Sequence, residues 1–164
     1  NLPAAEKMKP AAYQELTSST ITELSLAKGG LLRVIAGNIT ANQQLLQGPL
    51  TQTSTQPVLL DIHLAANESV ELSFNADNPA QVYVYKGATD LIATRQLGIY
   101  SEGKNLLLKA GPAGAELLVL SGRPIKEPLV QYGPFVMNTK EEIERALKDF
   151  QSPQFLEKLS GSLP

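Results

Sequence analysis

From Thr20 to Gly122 the apolar residues recur in short runs, most of them alternating with polar ones, and the runs are bounded by Gly, Pro or Asn. An alternation of period two puts successive side chains on opposite faces of an extended chain, so it marks half-buried strands. TITELSL, with Ile21, Leu24 and Leu26, and LLRVIAG, closing at Gly37, form a predicted hairpin turned at Gly29 and Gly30. VLLDIHL sets Leu60, Ile62 and Leu64 against Asp61 and His63. VELSF, QVYVYKG, LLLKAG and ELLVLSG continue the series, with turn residues at Asn78-Pro79, Gly87, Gly103, Gly111 and Gly122. Gly111-Pro112-Ala113-Gly114 reads as a turn between two of these strands. Residues 38–57, rich in Asn, Gln and Thr, read as a long polar excursion, part of which can pair as an edge strand. Many short strands at regular spacing predict an all-β sandwich or barrel and disfavour helical repeats and βαβ units.

One helix is announced after the strands. Thr139 is a predicted N-cap, Glu142 three residues on completes a capping box, and Ile143, Ala146, Leu147 and Phe150 fall on one face. Glu141 with Arg145 and Glu144 with Lys148 stand at i,i+4 on the exposed side, where such pairs contribute roughly 0.2–0.5 kcal/mol each. Pro153 stops the helix, and Phe155, Leu156 and Leu159 offer another short turn before the tail. Residues 1–18 hold Pro3 and Pro10 among small and charged residues without either period, which suits a linker or arm. The expected organisation is an arm over 1–18, a barrel over 19–125, and a segment with helix and tail over 126–164.

A chain of 164 residues that is 43% hydrophobic and 18% charged can bury a core without crosslinks. It contains no cysteine, which removes disulfides, thiolate metal sites and thiol nucleophiles, and fits a reducing, cytoplasmic setting. The formal net charge is -2, with 14 Lys and Arg scattered along the chain, so nothing gathers a nucleic-acid backbone. No apolar run reaches the roughly 18 residues of a membrane span, and the first residues lack the basic-then-apolar order of a signal peptide.

The stretch GRPIKEPLVQYGPFVMNTKEEIERALKDF, Gly122 to Phe150, resembles the C-terminal signature of the pirin family, its specific part being EPLVQYGPFVMNT, Glu127 to Thr139. NLPAAEKMKPAAYQEL, Asn1 to Leu16, resembles the linker between the two cupin domains of pirins. The likeness extends by pattern over the strands between. It implies a cupin-like jelly-roll β-barrel with a C-terminal α-helix, the latter half of a bicupin protein whose N-terminal cupin domain binds iron or another divalent metal. The chain begins at Asn1, inside a phrase that falls mid-sequence in a pirin, and so reads as a truncated piece. The resemblance also associates the parent with metal-dependent quercetin 2,3-dioxygenase activity and with transcriptional co-regulation. Pro153-Gln154 departs from a glycine-containing turn common there, which bears only on the shape of the tail.

A metal-bearing cupin gathers two His one residue apart, a Glu on the next strand and a third His on a later strand. Laid back from Gly87, that spacing puts the carboxylate position on Ala80 and the paired His positions near Ser73 to Ala76; with Gly103 as the second turn glycine, the later His position falls near Leu106. The chain has a single histidine, His63, so no His-rich cage can form, and the expectation is a barrel without metal, cofactor or catalytic residue. Val82 and Val84 are expected inside the barrel, and Tyr83 and Tyr85 outside it as cross-strand packing. His63 shares a face with Asp61 and is expected to be exposed or bonded to a surface partner. No G-x-S-x-G elbow supplies a nucleophile, and Gly111 to Gly114 lack the length and lysine of a phosphate loop. The triplets Asn38-Ile39-Thr40 and Asn67-Glu68-Ser69 match a glycosylation pattern that arises often by chance, while Glu68 and Glu71 read as a solvated loop and strand end.

Pro128 and Pro134 restrict the signature phrase, Gly133 permits a tight turn, and Tyr132, Phe135, Val136 and Met137 form a compact apolar set. Two accounts of that set stand side by side: it bridges two cupin halves as a domain interface, or it closes its own barrel ahead of the helix. The expected function is that of a metal-free, non-catalytic half that packs against or stabilises the N-terminal cupin domain, with self-association when that partner is missing. The alternatives are a part of a quercetin 2,3-dioxygenase-like enzyme, and a module that binds a small apolar ligand in the barrel or a regulatory protein.

Overall fold

The computed structural model describes residues 1–10, 13–51, 54–101, 103–153 and 155, and the expected turn at Leu156 and Leu159 lies outside them. The chain divides into two compact units, Leu16–Pro124 and a second made of Asn1–Glu15 with Ile125–Pro164.

The larger unit contains strands β1 (Thr22–Ser25), β2 (Leu31–Ala36), β3 (Asn38–Ala41), β4 (Gln44–Gln47), β5 (Val58–Leu64), β6 (Ser69–Ser73), β7 (Ala80–Thr89), β8 (Leu97–Tyr100) and β9 (Asn105–Ser121). Neighbours run β1-β2-β5-β9-β6-β3-β4, with β7 also on β9 and β8 on β7, and every ladder is antiparallel. The crossovers β2 to β5 and β3 to β6 fold this order into a jelly-roll barrel. Its inner faces are the apolar positions of the period-two runs: Leu32, Leu60, Val82 and Leu117 from one layer meet Ile39, Val70 and Leu72 from the other in a single core. Burying an aliphatic side chain of this kind contributes about 1.5–3 kcal/mol, so the alternation read along the chain is what closes the barrel. Val82 and Val84 are fully buried, whereas Tyr83 and Tyr85 are half-exposed on the outer face, as expected.

Residues 38–47 correct the reading of a polar excursion in part: β4 is the edge strand it allowed for, while β3 lies inside the sheet. β3 and β4 form a two-residue hairpin in which Asn42 and Gln43 take φ of 47° and 68°, the left-handed conformation that such turns require. Ile39, Ala41 and Leu46 join the core, one or two residues per strand, which the surrounding Asn and Gln disguise.

LLLKAG and ELLVLSG are also not two strands. Gly111 to Gly114 form no turn; they lie within β9, 17 residues long, which pairs with β6 through its first half and with β5 and β7 through its second. The inward set passes from Leu106, Leu108 and Ala110 to Ala115, Leu117 and Val119, from even to odd numbers. Such a change of parity needs an odd number of extra residues, and the register supplies them: between the pairs Thr89–Ala110 and Gly87–Ala115 β9 runs five residues against two of β7, with Gly114 at φ 80° inside that irregular stretch. Gly87 likewise is no turn between strands but lies inside β7, at φ 69°, between two breaks in register, Val84/Lys86 and Gly87/Thr89, over which the inward set passes from Val82 and Val84 to Thr89. The two irregularities touch: a Cβ on Gly87 would collide with the Gly114 carbonyl. β8 carries little sequence signal because Leu97 and Ile99 stay exposed.

In the smaller unit β10 (Val130–Tyr132) and β11 (Phe135–Met137) form a hairpin turned at Gly133, and α1 (Lys140–Phe150) packs on it. The capping box is complete: the Glu142 amide donates to Thr139 Oγ1 at 3.2 Å and the Thr139 amide donates to Glu142 Oε2 at 2.9 Å. Ile143 is buried, and Phe150 meets Phe135 and Phe155 edge to face with ring centroids 5.6 and 5.3 Å apart. The expected pairs Glu141–Arg145 and Glu144–Lys148 do not come within ion-pair distance among the described residues. The arm is tied to the signature phrase: the Ala4 amide donates to Glu127 Oε2 at 2.6 Å and Lys7 Nζ to the Val136 carbonyl at 3.2 Å.

Candidate functional site

The positions that cupin spacing assigns to a metal carry a hydroxyl at Ser73, a phenyl ring at Phe74, a carboxamide at Asn75 and aliphatic groups at Ala76, Ala80 and Leu106. Divalent iron and similar ions take imidazole and carboxylate donors, so these residues do not fit one. Among the described residues no three His, Cys, Asp or Glu side chains come together.

Ser73, Phe74 and Asn75 do border an opening. The β3–β6 ladder ends at the pair Thr40–Ser73, and beyond it the strands part to leave a cleft of about 400 Å³ at one end of the barrel. Ile39, Val58 and Phe74 give it an apolar wall, and Asn38, Thr40, Asn78 and Ser121 give it polar groups; no charged side chain lines it among the described residues. Asn78 is only 8% exposed. Its amide N–H donates to the Asn75 carbonyl at 3.0 Å, but its carboxamide makes no hydrogen bond among the described residues. Ser121 Oγ is buried and has no partner among the described residues. Ser73 and Asn75 are already engaged, the first donating to Asn105 Oδ1 at 3.0 Å and the second accepting from the Asp77 amide at 3.3 Å. The sequence marked Asn78 as a turn residue beside Pro79; only the fold buries most of the residue at the edge of this cleft.

His63 is bonded on the surface. Its Nε2 lies 2.9 Å from Tyr85 Oη and 3.3 Å from Asp61 Oδ1. Tyr85 donates to Asp61 Oδ1 at 2.8 Å, and Arg33 donates to Asp61 Oδ2 at 3.1 Å and to Glu23 Oε1 at 2.8 Å. Burial, then the hydrogen bond to Asp61, pushes the Tyr85 phenol well above the usual tyrosine range. Hydrogen bonds to Glu23 and then Asp61 raise the Arg33 guanidinium further. A phenol held protonated is no base, and among the described residues no serine or threonine hydroxyl joins the network, whose bonds act as cross-strand struts between β1, β2, β5 and β7.

Glu68 overturns the reading of a solvated loop acid. It is 2% exposed and accepts from the Lys28 amide at 2.5 Å and the Ala65 amide at 2.9 Å, joining two turns of the barrel. Gly30 leaves it room, since a Cβ there would run into its carboxylate. The four residues singled out as a domain interface lie on the β10–β11 hairpin: Tyr132 is 63% exposed, and Phe135, Val136 and Met137 are half-buried.

Comparison with known proteins bears on this geometry. Residues 59–156 match the family model described as Pirin C-terminal cupin domain. The chain is 38% identical over 160 residues to the Vibrio cholerae protein named "Putative quercetin 2,3-dioxygenase", covering 94% of this chain and 56% of that one. It is 30% identical to Pirin of Homo sapiens, covering 93% of this chain and 53% of that one. A crystal structure of quercetin 2,3-dioxygenase from Acinetobacter baumannii superposes with a TM-score of 0.83 at 34% identity, over 94% of this chain and 54% of that chain. The chain thus spans just over half the length of the relatives it matches. No helix among the described residues is long and apolar enough to cross a membrane. With the matched region extending from the second residue of β5 past the capped helix, the chain belongs to the pirin family and corresponds to its C-terminal cupin domain.

Proposed function

We propose that this chain is the non-catalytic, metal-free half of a two-cupin protein, and that it packs against and stabilises a metal-binding N-terminal cupin domain. The observation that carries this reading is the donor set: where cupin spacing calls for imidazole and carboxylate, the barrel has Ser73, Phe74, Asn75, Ala76, Ala80 and Leu106. The aliphatic filling of the interior supports it, because the Leu, Ile and Val side chains of the core carry no donor atom for an ion. The coverage of about half of each relative is what a single domain of a longer parent would give. The half-exposed set Tyr132, Phe135, Val136 and Met137 supplies the kind of aromatic-rich surface that anchors an interface.

A second reading rests on the names of two relatives. If the parent is a quercetin 2,3-dioxygenase, the iron and the chemistry belong to the other domain and this one supports its fold. The test is to give the 164-residue chain ferrous iron and quercetin and to follow flavonol absorbance. No consumption above the metal-only control is expected. Turnover by the chain alone would overturn the assignment.

A further inference from the structure

We propose that the cleft where β3 and β6 part is a binding site for a small neutral ring compound bearing a carboxamide or hydroxyl group, with Asn78 as its main hydrogen-bonding partner. Buried polar side chains in folded proteins are nearly always paired, and one that is not points to a missing partner. Asn78 is buried to 92% by its 8% exposure, borders the cleft and has no bond from its carboxamide among the described residues. Ser121 Oγ, a second orphan, borders the same space. Both groups stand at one opening, where a ligand could reach and bond each of them.

The chemistry of the walls sets the class of that ligand. With no charged side chain around the cleft among the described residues, an ion entering it would lose its hydration without compensation, so a neutral molecule is selected. A carboxamide presents both a donor and an acceptor, and a hydroxyl does too, so the complementary groups are again amides and hydroxyls. Phe74, packed on the core, gives the flat apolar wall a ring would lie against, with Ile39 and Val58 beside it. A volume of about 400 Å³ lies near the small end of ligand pockets, which suits one ring with its substituents. A purely apolar occupant would leave Asn78 unpaired, and the closely filled barrel interior offers it no other place.

Benzamide is the probe, with benzoate and benzylamine as its charged counterparts, titrated into the isotopically labelled 164-residue chain and read by amide chemical shifts. Benzamide is expected to shift Thr40, Phe74 and Asn78 saturably with millimolar affinity, and benzoate to bind at least about tenfold more weakly. Asn78→Leu should weaken benzamide at least about tenfold. Asn78→Asp keeps the shape, should reverse the preference toward benzylamine, and decides the matter if the leucine variant does not fold. Absence of saturable shifts, equal binding of benzoate, or unchanged preference in the aspartate variant would each overturn the proposal.

Discussion

Tyr85 shows how much a single hydroxyl can couple. It reaches across the outer face of the barrel from β7 to Asp61 and His63 on β5, and Asp61 passes the connection to Arg33 on β2. Tyr85→Phe keeps the ring and removes these bonds, with an expected loss of about 1 kcal/mol in urea unfolding near neutral pH. The same residue gives stability a pH dependence. The phenol titrates near 10.0 when unfolded and higher when folded, so its contribution is complete below 10.0 and fades as pH rises through the folded value. Tyr100 is shifted in the same direction, by burial and then by Asp90. Unfolding measured on both sides of that pH should therefore show an alkaline decline in the parent chain and a shallower one in Tyr85→Phe; superimposable profiles would contradict this. None of these partnerships was legible beyond the face shared by Asp61 and His63. Tyr85 reads as packing in a period-two pattern, and Glu68 reads as solvent-facing, because each is defined by donors or acceptors that the fold brings from elsewhere.

Among the elements, β7 and β9 carry the architecture, since one 17-residue strand serves both layers of the barrel. Their two bulges are positions where only glycine fits. Gly87→Ala would meet both an unfavourable φ of 69° and the Gly114 carbonyl, so a loss of about 2–4 kcal/mol is expected. Gly29→Ala, at φ 95° with nothing within 4 Å of the new methyl, should cost only about 1 kcal/mol. Thermal unfolding of the pair checks the difference, and equal losses would mean that the contact between bulges does not matter. The sequence already held the clue to the continuous strand: its apolar residues change from even to odd numbers across Gly111 to Gly114. A Gly-Pro pair outweighed that clue, since in most settings it signals a turn. Helix α1 was more easily read because capping is local, the N-cap and its partner lying three residues apart.

At the scale of the molecule, the two phrases that resemble pirins at opposite ends of the chain meet in one unit, through Glu127 with Ala4 and Val136 with Lys7. The hairpin there leaves Tyr132 exposed, and tyrosines at interface centres often cost about 2 kcal/mol or more when truncated. If the proposed pairing with an N-terminal cupin domain holds, sedimentation of the chain with such a domain, produced separately, is expected to show a one-to-one complex, and Tyr132→Ser to weaken it by about tenfold or more. A monodisperse chain that ignores that domain would remove the interface role.

The alternation of Leu, Ile and Val by itself determined an all-β barrel, and Thr139 with Glu142 determined its terminal helix, because both signals act over a few residues along the chain. The residue types at the cupin ligand positions were equally plain, since composition limits what any fold can assemble. Tertiary structure alone decided that β9 runs unbroken between layers, that Glu68 is buried among backbone amides, and that the Asn78 carboxamide borders a cleft with no bond among the described residues. Each of these depends on groups dozens of residues apart, or on the gap left between strands, and neither is written in the local pattern.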